Sequence, residues 1–359
     1  GTSGDTATKT DAPATNSIAV MAFADMSPEQ DQEYFSDGIA EELLNLLARI
    51  PDLKVISRTS SFSYKGKEVP LAQVASELGV AHILEGSVRK AGNRVRVTAQ
   101  LIDAAADTPL WTETYDRELD DIFAIQDEIA ADVAAQLQVS LLGAAPTADE
   151  TDPEAYALFL QARHLSRQGA AEAYERSNAL YERVLAIDPD YAAAWTNLAN
   201  NYINQGAGNL RPREDSRQLA RDALDRALAI DPEYAMAYAI LGRLTVSADN
   251  DLAMAAPHYE RALRLDPTNP AIIGLASVLV RDLGRLDEAI SLLEYAVERD
   301  PVSALGHANL GIMYLFAGRL DESIASSRTA LTLSPGLVGS AYEIGTALLL
   351  KGEPEAALD

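Results

Sequence analysis

The side chains best suited to chemistry are few in this chain of 359 residues, and their spacing does not assemble a reaction centre. His82, His164, His258 and His307 are the only imidazoles, and no two stand at the separation that puts paired metal ligands on one helix face. There is no cysteine, which removes thiolate metal sites, disulfides and thiol nucleophiles. Asp25, Glu29 and Asp31 gather three carboxylates in a short run, yet the run lacks the glycine and closing glutamate of a calcium loop and reads as a solvated loop. Ser61-Phe-Ser-Tyr-Lys-Gly66 lacks the glycine spacing of a phosphate cradle and reads as a surface loop. The pairs Glu41-Glu42 and Asp120-Asp121 read as solvent faces or helix caps. The expectation is a non-enzymatic protein with no metal and no cofactor.

The formal net charge of −25 is spread evenly, −12 over residues 1–145 and −13 over the rest. Affinity for phosphate comes from Lys and Arg neutralising it, so no nucleic-acid partner is expected for this chain. No run approaches the roughly 20 apolar residues a membrane helix needs, so contact with a membrane is expected only through a segment upstream of Gly1. Residues 1–16, small, polar and Thr/Ala-rich, read as a disordered tether, and the chain reads as a fragment of a longer parent.

The elements then follow from hydrophobic spacing. Ser17-Ile-Ala-Val-Met-Ala-Phe23 is a short apolar run, as a buried strand requires. Phe35, Ile39, Leu43, Leu46, Leu47 and Ile50 share one helix face, and Pro51 is expected to close that helix. Leu53–Ser57 reads as a second strand, parallel to the first through a right-handed crossover. Leu71–Leu78 reads as a helix, and Ala81–Val88 with Arg94–Ile102 as a hairpin whose Gly92 and Asn93 tolerate positive φ. Val95, Val97, Ala99 and Leu101 alternate with polar residues, so one face is buried. Leu110–Tyr115 reads as an edge strand. From Asp121 a long amphipathic helix carries Ile122, Ile125, Ile129, Val133 and Leu137, with Asp120 or Asp121 as N-cap.

The phrases SIAVMAFADMSPEQDQEYFSDGIAEELLNLLARI, LKVISRTSSFSYKGKEV, LAQVASELGVAHILEGSVRKAGNRVRVTAQLIDAAADTPLWTETYDREL and DIFAIQDEIA resemble the TolB-amino-terminal-like domain of bacterial regulatory proteins over about residues 17–142. The resemblance implies an upstream effector, a winged-helix DNA-binding domain or a nucleotide cyclase, often followed by one transmembrane helix, and a downstream tetratricopeptide array.

Residues 152–359 carry internal repeats. Pro153, Pro189, Pro232, Pro267, Pro301 and Pro335 stand 36, 43, 35, 34 and 34 residues apart, and a tetratricopeptide repeat is about 34 residues with a proline closing its second helix. Counted from those prolines, Trp195, Leu198, Ala199 and Tyr202 fall in register with Ile273, Ala276 and Ser277 and with Leu310, Gly311 and Tyr314. The small residues Ala199, Gly242, Ser277 and Gly311 are expected where paired helices cross. The reading is five repeats plus a truncated sixth, joined to the first domain by a linker at 143–151. The fold class is therefore α+β followed by all-α: a small α/β domain with a mixed sheet, then a tetratricopeptide superhelix.

Resemblance to tetratricopeptide proteins implies a concave groove lined by the first helix of each pair. The family's groove positions map to Thr196, Asn200 and Asn204; Ala239, Arg243 and Ser247; Gly274, Val278 and Arg281; and Ala308, Ile312 and Phe316. Asn can hydrogen-bond a peptide backbone in both directions and Arg can pair with a carboxylate. The expected function is a protein-interaction or sensory module of a bacterial membrane-associated regulator, its groove holding a peptide or protein segment and its α/β domain free to form a homodimer. Two alternatives stand beside it: the regulatory half of an adenylate or guanylate cyclase, and a small-molecule receptor near the carboxyl ends of the strands after Phe23 and Ser57. The resemblance places the module in the periplasm, tethered to the inner membrane in the parent; the alternative is the cytoplasm.

Overall fold

Strand β1 (Ser17–Val20) is buried along its whole length, as the interior of a parallel region demands. In the computed structural model, which describes residues 14–50, 52–138, 150–249 and 251–357, it is followed by β2 (Ala24–Asp25), α1 (Glu33–Ala48), β3 (Lys54–Val55), α2 (Arg58–Phe62), α3 (Leu71–Leu78), β4 (His82–Ala91), β5 (Arg94–Asp103), β6 (Thr108–Glu118) and α4 (Ile122–Gln136). Most of the expected tether and linker, and Pro51, lie outside the described residues.

The sheet runs β3-β1-β4-β5-β6, with β2 paired to β4. β1 is parallel to β3 and β4, while β4, β5 and β6 are antiparallel, so the sheet is mixed. One face packs on α1 and α4 through Phe35, Ile39, Leu43, Leu47, Ile125, Ile129 and Val133. The other packs on α3 through Ile56, Val74, Leu78 and Ile83. Val95, Val97, Ala99 and Leu101 are all buried, as their alternation requires.

Local chemistry corrects three expectations. Only Gly92 (φ 60°) takes the left-handed conformation in the hairpin turn; Asn93 does not. Asp121 does stand at the N-cap of α4, but it makes no side-chain capping bond there, where a 3₁₀ turn over Leu119–Asp121 leads into the helix. Ser61 is fully buried rather than on a surface loop, since Ser57 Oγ accepts from the Ser60 N–H and starts α2 there.

Five antiparallel helix pairs follow: α5 (Pro153–Ser166) with α6 (Ala171–Ile187), α7 (Ala192–Ala207) with α8 (Arg213–Ile230), α9 (Ala235–Asp249) with α10 (Leu252–Leu265), α11 (Pro270–Asp282) with α12 (Leu286–Arg299), and α13 (Ala304–Phe316) with α14 (Leu320–Leu333), then α15 (Val338–Lys351). A proline forces the residue before it out of the helical region. Asp188, Asp231, Asp266, Asp300 and Ser334 accordingly have φ of −126°, −125°, −141°, −132° and −145°, and each ends the second helix of a pair. Pro189, Pro232, Pro267, Pro301 and Pro335 thus sit at junctions between hairpins. Pro153 differs: it is the first residue of α5, behind Asp152, whose carboxylate accepts from the Glu154 and Ala155 N–H groups at 2.8 and 3.2 Å. Paired helices cross closely at the small residues; a β-carbon on Gly242 would lie 2.9 Å from the Tyr259 ring.

The two units share one core. A single cluster of buried side chains runs from β1, α1 and α4 through Tyr156, Phe159 and Leu160 of α5 to Ile240 and Leu244 of α9. At its joint Phe123 meets Tyr156 edge-on with ring centroids 4.9 Å apart, and Gln126 Nε2 donates to the Tyr156 hydroxyl at 2.7 Å.

Candidate functional site: the inner face of the array

The first helix of each pair presents three positions, set by their distance from the small residue at the helix crossing. Thr196, Asn200 and Asn204 flank Ala199 in α7 as Ala239, Arg243 and Ser247 flank Gly242 in α9, and as Ala308, Ile312 and Phe316 flank Gly311 in α13. In α11, Gly274 and Val278 hold the first two of these places around Ser277.

Two of the implied groove residues offer nothing to a ligand. Thr196 is buried, and its hydroxyl donates to the Ala192 carbonyl at 3.0 Å; Ala239 is fully buried. Asn200, Asn204 and Arg243 are brought together. Arg243 Nη1 donates to Asn204 Oδ1 at 3.0 Å, and Nη2 donates to Asn200 Oδ1, so one guanidinium ties the second pair to the third. Burial lowers the Arg243 pKa, and among the described residues its Nε has no hydrogen-bond partner. Beyond it the surface changes character. Ser247 is exposed, with its hydroxyl donating to the Leu244 carbonyl. Arg281 pairs with its neighbour Asp282 at 2.7 Å. Val278 and Phe316 are 37% and 58% exposed, with Ala308 and Ile312 half-buried between them. In α15 the same register around Gly345 gives Tyr342, Thr346 and Leu350, of which Tyr342 and Leu350 are 76% and 65% exposed.

The first pair was missed by reading from the proline repeat, because Pro153 sits in a different place. Counted from Ala162, whose carbonyl accepts from Ser177 Oγ of α6 at 2.8 Å, the equivalent residues are Phe159, Arg163 and Arg167. That register was available from the sequence. These positions are already occupied: Arg163 Nη1 donates to Glu42 Oε1 at 2.5 Å, Arg167 Nη2 donates to Glu41 Oε1, and Arg58 Nε lies 3.0 Å from Glu41 Oε2. The inner face of the first pair therefore holds helix α1 of the α/β unit. Glu41 is 8% exposed, so it is not part of a solvent face; the pairing with Arg163 and Arg167, far away in sequence, buries it. Burial raises the Glu41 pKa, but the charges of Arg163, Arg167 and Arg58 outweigh it and leave the net shift downward. Burial and crowding by the other two guanidiniums lower the pKa of Arg167.

Elsewhere, Asp25 is committed to its own loop, accepting from the Ser27 and Gln32 N–H groups at 2.8 Å each. Among the described residues no group of three or more His, Cys, Asp or Glu side chains is placed to hold a metal ion. A cavity of about 630 Å³ lies at the carboxyl end of β1, lined by Met21, Phe23, Asp25, Glu33, Tyr64 and Lys65. Its one cation, Lys65, is already paired with Glu33 and Asp37 at 2.5 and 2.6 Å.

Two family models, each described as tetratricopeptide repeat, match residues 213–270 and 246–310, so this part of the chain carries tetratricopeptide repeats, a scaffold for protein interaction. The chain is 41% identical over 222 residues to a protein of Rhizobium meliloti (strain 1021) named "Putative adenylate cyclase 3", an alignment covering 59% of this chain and 38% of that protein. Among solved structures it is similar to PilW, a type IV pilus biogenesis factor (18% identity, TM-score 0.47, covering 58% of this chain and 90% of that one). It is also similar to YrrB, described as a tetratricopeptide protein with an unusual peptide-binding site (22% identity, TM-score 0.36, covering 52% and 90%).

Proposed function

We propose that this chain is a non-catalytic binding module whose array holds a peptide or protein segment on its inner face. The observation that carries the reading is the occupied first pair: Arg163 and Arg167 already bind a helix of the same chain through its carboxylates. The equivalent positions of the following pairs form the same ladder, polar at Asn200, Asn204 and Arg243 and apolar at Ile312 and Phe316. The double variant Asn200→Ala with Arg243→Ala is expected to lose captured peptide while keeping its helical content. Unchanged capture contradicts the assignment.

In the parent protein the module serves as the sensory half of a membrane-associated regulator, with the α/β unit as a TolB-amino-terminal-like domain that docks or dimerises. The Rhizobium relative favours a cyclase as the effector over a winged helix. Reading the parent gene upstream of Gly1 for metal-binding cyclase carboxylates or a basic recognition helix decides between them. A periplasmic location is part of this proposal, and a reporter fused at the carboxyl end distinguishes it from the cytoplasm. The receptor reading has the cavity at β1 in its favour, and a thermal-shift screen of metabolites tests it.

A further inference from the structure

The α/β unit touches the array in two places that differ in whether an apolar core backs them. The first, against α5, has a continuous apolar core, Phe123 on Tyr156 and Leu160 against Gly38, flanked by the buried pairing of Glu41 and Glu42 with Arg163 and Arg167. The second lies at the junctions after α10 and α12 and is almost wholly polar. The Ser57 N–H donates to the Arg299 carbonyl at 2.6 Å, Ser60 Oγ donates to Asp300 Oδ1 at 2.6 Å, and the Val302 N–H donates to Ser60 Oγ at 3.1 Å. Thr268 Oγ1 donates to the Ala48 carbonyl at 2.9 Å, and Lys54 lies 3.1 Å from Glu298. Val302 is the apolar side chain that reaches the smaller core of the α/β unit here.

These seams differ in what breaking them leaves behind. Parting the first exposes aromatic and leucine side chains to water, which opposes separation in proportion to area, and also breaks the buried pairs of Glu41 and Glu42 with Arg163 and Arg167. Parting the second exposes donors and acceptors that water satisfies, so each bond lost is nearly replaced. The array between the seams is built of successive helix pairs. One core runs as far as α9, and smaller buried clusters follow over α9 to α11, α12 and α13, and α14 and α15, with Leu275 of α11 touching both the large core and the next clusters. A solenoid whose repeats touch only their neighbours bends by small rotations summed over several joints.

We propose that the polar seam at Ser57, Ser60, Asp300 and Val302 is a releasable latch, and that the α/β unit acts as a strut across the arc of the array, fixing the curvature of its inner face until the latch opens. Whatever binds or moves the α/β unit then reshapes the face between α7 and α13. This consequence for binding rests on the function proposed above; the latch does not.

The absence of cysteine makes the test direct. Spin labels on Glu68→Cys and Arg328→Cys, both exposed positions, report the span between the α/β unit and the fifth pair in the full chain. The parent is expected to give one narrow distance distribution, and Ser60→Ala with Asp300→Ala a broad one with a longer population. In a separate chain, Ser60→Cys with Asp300→Cys is expected to show a smaller radius of gyration by X-ray scattering when oxidised than when reduced. An unchanged distance distribution in a release variant that retains parental helicity overturns the latch, as does equal size of the oxidised and reduced forms. A broadened distribution with no peptide captured by any form supports the latch and sinks only the binding reading.

Discussion

Gly38 of α1 faces Leu160 of α5 so closely that a β-carbon at residue 38 would sit 2.6 Å from Leu160 Cδ1 and 2.9 Å from Cγ. Alanine is favoured over glycine in a helix interior by about 1 kcal/mol. Here Leu160 is 2% exposed and packed in the shared core, so it has no room to yield. Overpacking costs about 1–3 kcal/mol. Gly38→Ala is therefore expected to destabilise the chain in urea titration, with array and α/β unit losing structure together.

Glu41 makes the same joint sensitive to acid. Its pKa is lowered in the folded chain from the ordinary 4.5, by Arg163, Arg167 and Arg58 acting against burial. A depressed carboxyl contributes stability above its unfolded pKa and loses it as pH falls through the folded one. The parent should therefore lose stability more steeply than Glu41→Gln as pH falls below 4.5. At neutral pH, Glu41→Gln leaves the three guanidiniums underpaired and is expected to cost about 3–5 kcal/mol. Parallel pH dependence in the two proteins would contradict the assignment.

Glu343 is expected to behave oppositely. It is buried on α15, accepting from Ser327 Oγ at 2.8 Å, and burial raises its pKa despite that bond. The folded chain then holds this proton more tightly than the unfolded one, so the carboxylate lowers stability at neutral pH and the effect fades as pH falls. Glu343→Gln should raise the melting temperature at pH 7, with the gain vanishing near pH 4.5.

Much of this architecture was legible because it is written locally. The burial of Phe35, Ile39 and Leu43 follows from spacing along one helix, and the helix ends at Asp188, Asp231, Asp266 and Asp300 follow from the proline after each. The joint was not legible. Glu41 meets Arg163 and Arg167 across more than a hundred residues, and nothing in an acidic pair on a helix says which partner will bury it. Thr196 failed as a groove residue for a related reason: its hydroxyl bonds its own helix and its side chain is covered by neighbouring packing. The start of α2 was missed because a single serine cap at Ser57 sets it.

Asn200 and Arg243 should be energetically coupled. Removing Asn200 alone leaves a partly buried guanidinium with a lost partner, expected to cost about 1–3 kcal/mol. Because Arg243→Ala removes that unpaired charge, the double variant should be less destabilised than the sum of the singles in a double-mutant cycle. Additive effects would mean that the contact contributes nothing.

The most direct test of the inner face as a binding surface is selection of random displayed peptides against the full chain and against Asn200→Ala with Arg243→Ala, the two matched for helicity. Binding by the ladder predicts sequences enriched by the parent and released by the variant. Enrichment that ignores both residues, or none at all, contradicts it.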